Sequence, residues 1–311
     1  MILGALEAGG TKMVCAVGNE KGEIFDQVSI PTTDPGETIP KILAYFADKD
    51  PEALGVASFG PIDPDPESET YGYILSTPKI SWQNYDLLGN LKKSLGIPMG
   101  FDTDVNGSLL GEVTYGSAKG LSDAVYITIG TGIGGGVMSG GKLLHGMLHS
   151  ELGHIRLTPR PDDTYRGKCP FHGTCFEGLA AGPAIEERWG RKAFELADRD
   201  EVWELEAYYI AQALSDLILI LSPKKIILGG GVMHQEQLFP LIRKKVKEEL
   251  NGYLDTALLR DMDHYIVPSA LNDNQGILGC LKLAFDARTT LPLPNRSLIS
   301  SSAESSFSSF S

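Results

Sequence analysis

Apolar runs broken at glycine organise the start of the chain. Residues 2–6 and 13–18 are apolar almost throughout and predict two buried strands. Glu7-Ala8-Gly9-Gly10-Thr11-Lys12 joins them. The Lys21-Gly22 turn signal leads to a third strand near 24–30, a helix is predicted over 37–47, and an apolar run predicts a buried strand at 54–59. Gly60-Pro61-Ile62-Asp63-Pro64-Asp65-Pro66 must be a loop, because its prolines remove amide donors and restrict the residues before them. Another strand at 97–101 runs into Asp102-Thr103-Asp104-Val105-Asn106-Gly107, which opens a helix to about 113.

The pattern then starts again. After Tyr115-Gly116-Ser117-Ala118-Lys119-Gly120, residues 124–129 predict a strand that feeds Gly130-Thr131-Gly132-Ile133-Gly134-Gly135-Gly136. A helix-rich stretch at 182–221 follows, then a strand at 225–229, glycines 229–231 and a helix around 235–249. A strand at 264–267 and a helix at 275–285 complete the series. Two strands that each feed a glycine turn predict two α/β domains, 1–117 and 118–289, facing across a cleft, with the last helix packing back on the first domain. Residues 290–311 end in a run with nine serines in the last 15 positions, a composition that cannot build a core and predicts a flexible tail.

Composition sharpens this in three places. Glycine makes up 36 of 311 residues, against a usual level of about 7%, and the excess is clustered rather than scattered. The formal charge of -13 argues against nonspecific nucleic-acid binding, yet leaves room for a phosphate site built from backbone amides. Neither a basic leader nor an apolar run of membrane-spanning length is present, which predicts a soluble, cytoplasmic protein without a membrane partner. Four cysteines in a chain of this length do not form a secreted disulfide scaffold.

The glycine clusters at 9–10, 130–136 and 229–231 let backbone amides approach an anion. Gly9-Gly10-Thr11-Lys12 lacks the spacer of a Walker loop. The turn at 130 continues into another short strand rather than a helix, so a dinucleotide fingerprint fits poorly. Nucleotide phosphates held between two domains fit better.

Four of the six histidines, His145, His149, His154 and His172, fall within 28 residues. Cys169, His172 and Cys175 are spaced three apart around a Pro/Gly turn, and His154 lies 15 residues upstream. Two thiolates and two imidazoles suit a closed, structural Zn2+ site that orders its loop. Glu151 and Glu177 flank the set, and folding the loop on the ion would bring these carboxylates together as acceptors for sugar hydroxyls. Asp104, at the start of a helix where Thr103 and Asn106 can orient it, is the candidate base that takes a hydroxyl proton during phosphoryl transfer. Asp102 protrudes from the same strand end, and spacing alone does not separate the two.

These pieces together resemble the ROK sugar kinases, in particular their bacterial fructokinase branch. The resemblance rests on EAGGTKMVCAVG at 7–18, DTDVNG at 102–107, TIGTGIGGG at 128–136, GMLHSELGH at 146–154, CPFHGTCFE at 169–177 and LGGGV at 228–232. It implies a two-domain actin-like ATPase (ribonuclease H-like) fold closing around ATP, Mg2+ and a hexose. By that resemblance Asp104 is the general base, Thr103, Glu151, His154 and Glu177 line the sugar site, and His154 doubles as a zinc ligand. Gly10, Thr11, Lys12, Thr131 and Gly132 fall on phosphate loops and Gly230 on the adenosine side. A homodimer is implied as well. Three departures stand out: Glu7 occupies the place of an aspartate in the family's first loop, Thr103 replaces the asparagine of the glucokinase-like branch, and Cys-x2-His-x2-Cys replaces Cys-x-Cys-x4-Cys. The expected activity is transfer of the γ-phosphate of ATP to the 6-hydroxyl of D-fructose. Mannose, glucose or an N-acetylhexosamine is the alternative substrate. Sugar-binding transcriptional regulators of the same family are the alternative of another class, but they carry an additional amino-terminal DNA-binding domain, whereas this sequence enters its first strand at Ile2.

Overall fold

The computed structural model describes residues 1–290 of the 311. The serine-rich tail expected over 290–311 lies outside the described residues apart from Thr290, the last residue of the final helix.

The first lobe is built on β1 (Leu3–Ala8), the centre of its sheet because small and apolar side chains cover both faces. β2 (Lys12–Gly18) and β3 (Ile24–Pro31) follow as antiparallel hairpins. Helix α1 (Pro35–Lys49) starts where Asp34 accepts a hydrogen bond from the Glu37 amide, and it buries Ile39, Ile42 and Phe46. β4 (Ala53–Ser58) then lies parallel to β1 on its other side. A small ribbon, β5 (Tyr73–Ile74) with β6 (Tyr85–Asp86), precedes α2 (Leu87–Leu95). α2 has no counterpart among the expected elements: only Leu87, Leu88 and Leu91 of its nine residues are buried, too few for a periodic signal. β7 (Met99–Thr103) completes the sheet order β3-β2-β1-β4-β7 and runs directly into α3 (Asp104–Thr114).

The second lobe repeats this plan. β8 (Ala124–Ile129), β9 (Ile133–Ser139) and β10 (Lys142–Leu143) form the antiparallel part. Four helices follow in the chain before or after its parallel strands: α4 (Phe176–Ala180), α5 (Gly182–Trp189), α6 (Asp200–Leu221) and, beyond β11 (Ile226–Gly229), α7 (Leu238–Leu250). The short helices α8 (Ala257–Arg260) and α9 (Met262–Tyr265) lead to β12 (Ile266–Pro268), so this strand begins two residues later than its apolar run suggests. The sheet order β10-β9-β8-β11-β12 matches the first sheet position by position. α6 carries the core of this lobe, burying Trp203, Tyr209, Ile210 and Leu214 beneath Val125, Ile127 and Phe176.

The last helix, α10 (Gln275–Thr290), leaves the second lobe and lies on the first sheet, where Ile277, Cys280, Leu281 and Ala284 pack on Leu3, Ala5, Ala16 and Ala57. It crosses α3 almost backbone to backbone: a Cβ at Gly279 would lie 1.8 Å from the Gly107 carbonyl oxygen. Glycine is therefore required there, and the tight crossing fixes the helix that begins with Asp104.

Candidate active site

Three consecutive residues at the end of β7 are handled in three different ways. Thr103 is 2% exposed and caps α3, its hydroxyl accepting from the Asn106 amide at 3.1 Å. Asp102 is buried and fully engaged. It accepts from the Thr103 amide at 2.8 Å, the Asn106 side-chain amide at 2.7 Å and His145 Nε2 at 3.0 Å. Asp104 accepts only from its neighbour's amide, that of Val105 at 2.9 Å, and has no side-chain partner among the described residues. Burial raises its carboxyl to about 6, and the nearby charge of Glu151 adds to that rise against the backbone hydrogen bonds that oppose it. Thr103 and Asn106 thus serve the helix end and Asp102 rather than the Asp104 carboxylate. The strand end separates the two aspartates that spacing left equal.

The turn between β1 and β2 closes with the Gly9 amide donating to the Lys12 carbonyl at 3.1 Å, and the Thr32 hydroxyl donates to the Gly9 carbonyl. It opens on a cavity of about 430 Å³ between the lobes, lined by Glu7, Gly10, Thr11 and Lys12 on one side and Gly231, His234 and Asp273 on the other. Burial, reinforced by the charge of Asp104 and opposed by Lys12, pushes Glu7 up to about 7. A half-buried carboxylate facing other acids, its charge only partly offset by Lys12, suits a divalent cation. The stem of Lys79 passes close over Gly10, so a second ammonium joins Lys12 at this turn.

The turn between β8 and β9 is braced instead. Its Gly130 amide donates to the Gly132 carbonyl at 2.9 Å, and the Gly182 amide at the start of α5 donates to the Gly130 carbonyl at 2.8 Å. Glu177 Oε2 accepts from the Ile133 amide at 3.0 Å. Thr131 stands exposed at the tip. Gly230, with φ of 89°, turns the chain from β11 into the short helical turn Gly231–His234 on the cavity wall.

His154, Cys169, His172 and Cys175 present ligand atoms that all lie within 4.8 Å of one another. Their Sγ–Nδ1 separations are 3.6, 3.7 and 3.8 Å. A tetrahedral zinc ion with ordinary Zn–S and Zn–N bonds places S and N about 3.6 Å apart, so the four residues fit that ion. Without it, burial pushes the Cys175 thiol up to about 11. Cys175 also caps α4, its sulfur accepting from the Gly178 amide at 3.4 Å, and Glu177 sits in the first turn of that helix. The two carboxylates flanking the set part company: Glu177 turns to the second glycine turn, and Glu151, half exposed, stands 3.6 Å from His149 Nδ1.

His145, His149, Lys79, His234 and Asp273 also face this cleft, and no motif marked them as site residues. The crowding of histidines between 145 and 172 was the one signal that pointed to two of them. Spacing could not show that their partners lie in the first lobe.

Two sheets of one topology, a cleft between them and glycine turns facing it define a two-domain protein of the actin-like ATPase fold. The chain belongs to the ROK family, which matches residues 3–287. A protein of Bacillus subtilis (strain 168) is 56% identical over 287 residues, covering 92% of this chain and 96% of its own. A fructokinase of Pediococcus pentosaceus is 48% identical over 284 residues, covering 91% of this chain and 98% of its own. Among solved structures, a ROK family glucokinase from Streptomyces griseus in complex with glucose and AMPPNP superposes with a TM-score of 0.74 at 24% identity, over 92% of this chain and all of that one. Among the described residues no helix is long and apolar enough to cross a membrane.

Proposed function

We propose that the protein is an ATP-dependent fructokinase that transfers the γ-phosphate of ATP to the 6-hydroxyl of D-fructose. The observation that carries this reading is Asp104: a half-buried carboxylate without a side-chain partner among the described residues, at the start of a helix and close enough to Glu7, on the cavity wall, to feel its charge. The relatives named fructokinase, at 39–48% identity over most of the chain, support the choice of sugar.

In this reading Asp104 accepts the proton of the sugar hydroxyl as its oxygen attacks the γ-phosphorus, and a carboxyl raised to about 6 is a better proton acceptor than an ordinary one. Glu151 and His154 hold sugar hydroxyls, as does the Glu177 oxygen that the Ile133 amide leaves free. Thr103, largely covered, contributes by fixing the helix start. The amides of Gly10 and Thr11 with Lys12, and those of Thr131 and Gly132, receive the phosphates, and Gly230 lies on the adenosine side. When bound, Mg2+ offsets charge on the phosphate oxygens, and Glu7 is the residue that holds it, directly or through water. Zn2+ held by His154, Cys169, His172 and Cys175 orders the loop that carries Glu177. We take the domains as 1–117 and 118–289, and the working form as a cytoplasmic homodimer.

The test is ADP release in a coupled assay with fructose, mannose, glucose and N-acetylglucosamine. A clear preference for fructose supports the assignment. Equal turnover of glucose or mannose overturns the substrate, and no turnover with any sugar overturns the activity.

A further inference from the structure

Between β10 and the zinc set, the segment 144–150 makes a narrow hairpin. His145 and His149 pair across it, the Gly146 amide donates to the Leu148 carbonyl at 2.9 Å, and Met147 at the tip is 95% exposed. Both histidines reach out of their own lobe. His145 Nε2 lies 3.0 and 3.1 Å from the two oxygens of Asp102 and 3.4 Å from the Asn106 side-chain amide. His149, with its side chain 6% exposed, accepts at Nε2 from the Ile62 amide at 3.2 Å.

The two rings have opposite duties. His145 must carry a proton on Nε2 to donate to a carboxylate, whereas His149 must leave Nε2 bare to accept from an amide. The second requirement puts a proton on His149 Nδ1, and that atom faces the Ser150 carbonyl at 3.4 Å and Glu151 at 3.6 Å. Room for the ring comes from Gly60, where a Cβ would lie 3.1 Å from His149 Nε2. One short hairpin therefore ties the ends of β4 and β7 in the first lobe to the segment bearing Glu151 and His154 in the second.

We propose that residues 144–150 form an interlobe clasp at the sugar end of the cleft, with His145 and His149 as positioning residues that set Glu151 and His154 against Asp104. This rests on the sugar-kinase reading of those three residues. The clasp leaves the nucleotide end alone, since neither histidine lines the cavity beside Gly10 and Lys12.

The experiment compares wild type with His145→Ala, His149→Ala and His149→Gln. Each alanine variant is expected to raise the fructose KM about tenfold, the loss of one polar contact to a buried partner, Asp102 or Ile62, while the ATP KM stays within twofold. His149→Gln keeps an acceptor for the Ile62 amide and should recover most of the loss. Amide hydrogen exchange supplies a readout independent of turnover: exchange at Ile62 accelerates in His149→Ala and slows again in His149→Gln. Unchanged fructose KM in both alanine variants, or unchanged Ile62 exchange in His149→Ala, overturns the clasp. So does a loss shared equally by fructose and ATP with a falling Tm, which marks plain destabilisation. Wild-type protein inactive on every sugar would instead overturn the activity, and the exchange result would still decide the contact.

Discussion

The turns after β1 and after β8 occupy equivalent places in two sheets of identical order, yet they are built for different work. The first is held by its own backbone and one threonine, faces the cavity, and is surrounded by charge: Glu7, Lys12, Lys79 and, beyond them, Asp104. The second is braced from behind by the start of α5 and by Glu177, whose helix is capped by a cysteine of the metal set. Topology fixes where an anion-binding turn can form, and the surrounding side chains decide whether it is open and charged or held in place. The turn of the first lobe is accordingly open and charged, while that of the second is held in place.

The sharpest break of this contrast is Asp104→Asn. Loss of a general base predicts a fall in kcat of about 10²- to 10⁴-fold, measured by ADP release, with fructose binding retained. Folding should not suffer. The carboxyl is raised to about 6 in the folded protein, above its unfolded value, so the ionised form costs stability above that pH and the cost fades as pH falls toward 4. The asparagine variant should therefore melt no lower than wild type at pH 8. For wild type, kcat/KM should fall as pH drops through 7 to 6, where Glu7 and then Asp104 take up protons; a flat profile between pH 8 and 5 rules out both as required anions.

Cys175→Ser should show the reverse order of effects. It removes a proposed metal ligand and weakens the cap of α4, so metal analysis should show zinc falling well below one per chain. A destabilisation of about 2–4 kcal/mol is expected, a drop in Tm of roughly 3–7 °C for a chain of this size, read by calorimetry. Activity at low temperature should decline less than in Asp104→Asn. Full zinc content with an unchanged Tm would remove the metal from the account of the second lobe.

How far the sequence anticipates this arrangement depends on whether partners are near in the chain. The strands flanking Gly9–Lys12 and Gly130–Gly136, and the ligand set from His154 to Cys175, are local patterns, and they stand where periodicity and spacing put them. Asp102 and Asp104 are alike in spacing because what separates them is the direction in which each side chain turns: Asp102 turns to Asn106 and to His145, the latter 43 residues away and in the other lobe. Glu177 reads as a sugar contact because it flanks the candidate metal set; its bond to the Ile133 amide spans 44 residues and has no signature in composition. α2 went unread for another reason, since a short half-buried helix between a proline-rich loop and a strand carries little period.

Glu177→Gln and Glu177→Ala separate bracing from sugar binding. The amide side chain retains an oxygen for Ile133, so Glu177→Gln should keep the ATP KM near wild type while the fructose KM rises severalfold, as expected for weakening one charge-assisted hydrogen bond. Glu177→Ala frees the second turn as well and should raise both constants, each by about tenfold. Equal behaviour of the two variants would mean that the brace contributes nothing to nucleotide binding.

The smallest effect is expected at Lys79, because its ammonium belongs to the open turn and works through solvent. Lys79→Met keeps the stem beside Gly10 and removes only the charge. An exposed charge facing a phosphate contributes about 1 kcal/mol or less at physiological salt, which predicts a two- to fivefold rise in the ATP KM. The fructose KM and Tm should stay unchanged. The difference from wild type should shrink as salt is raised, whereas the Glu177→Ala defect, made of backbone geometry rather than charge, should persist. If both defects respond to salt alike, the distinction between an open charged turn and a braced one fails at the level of binding, even though the two turns differ in their contacts.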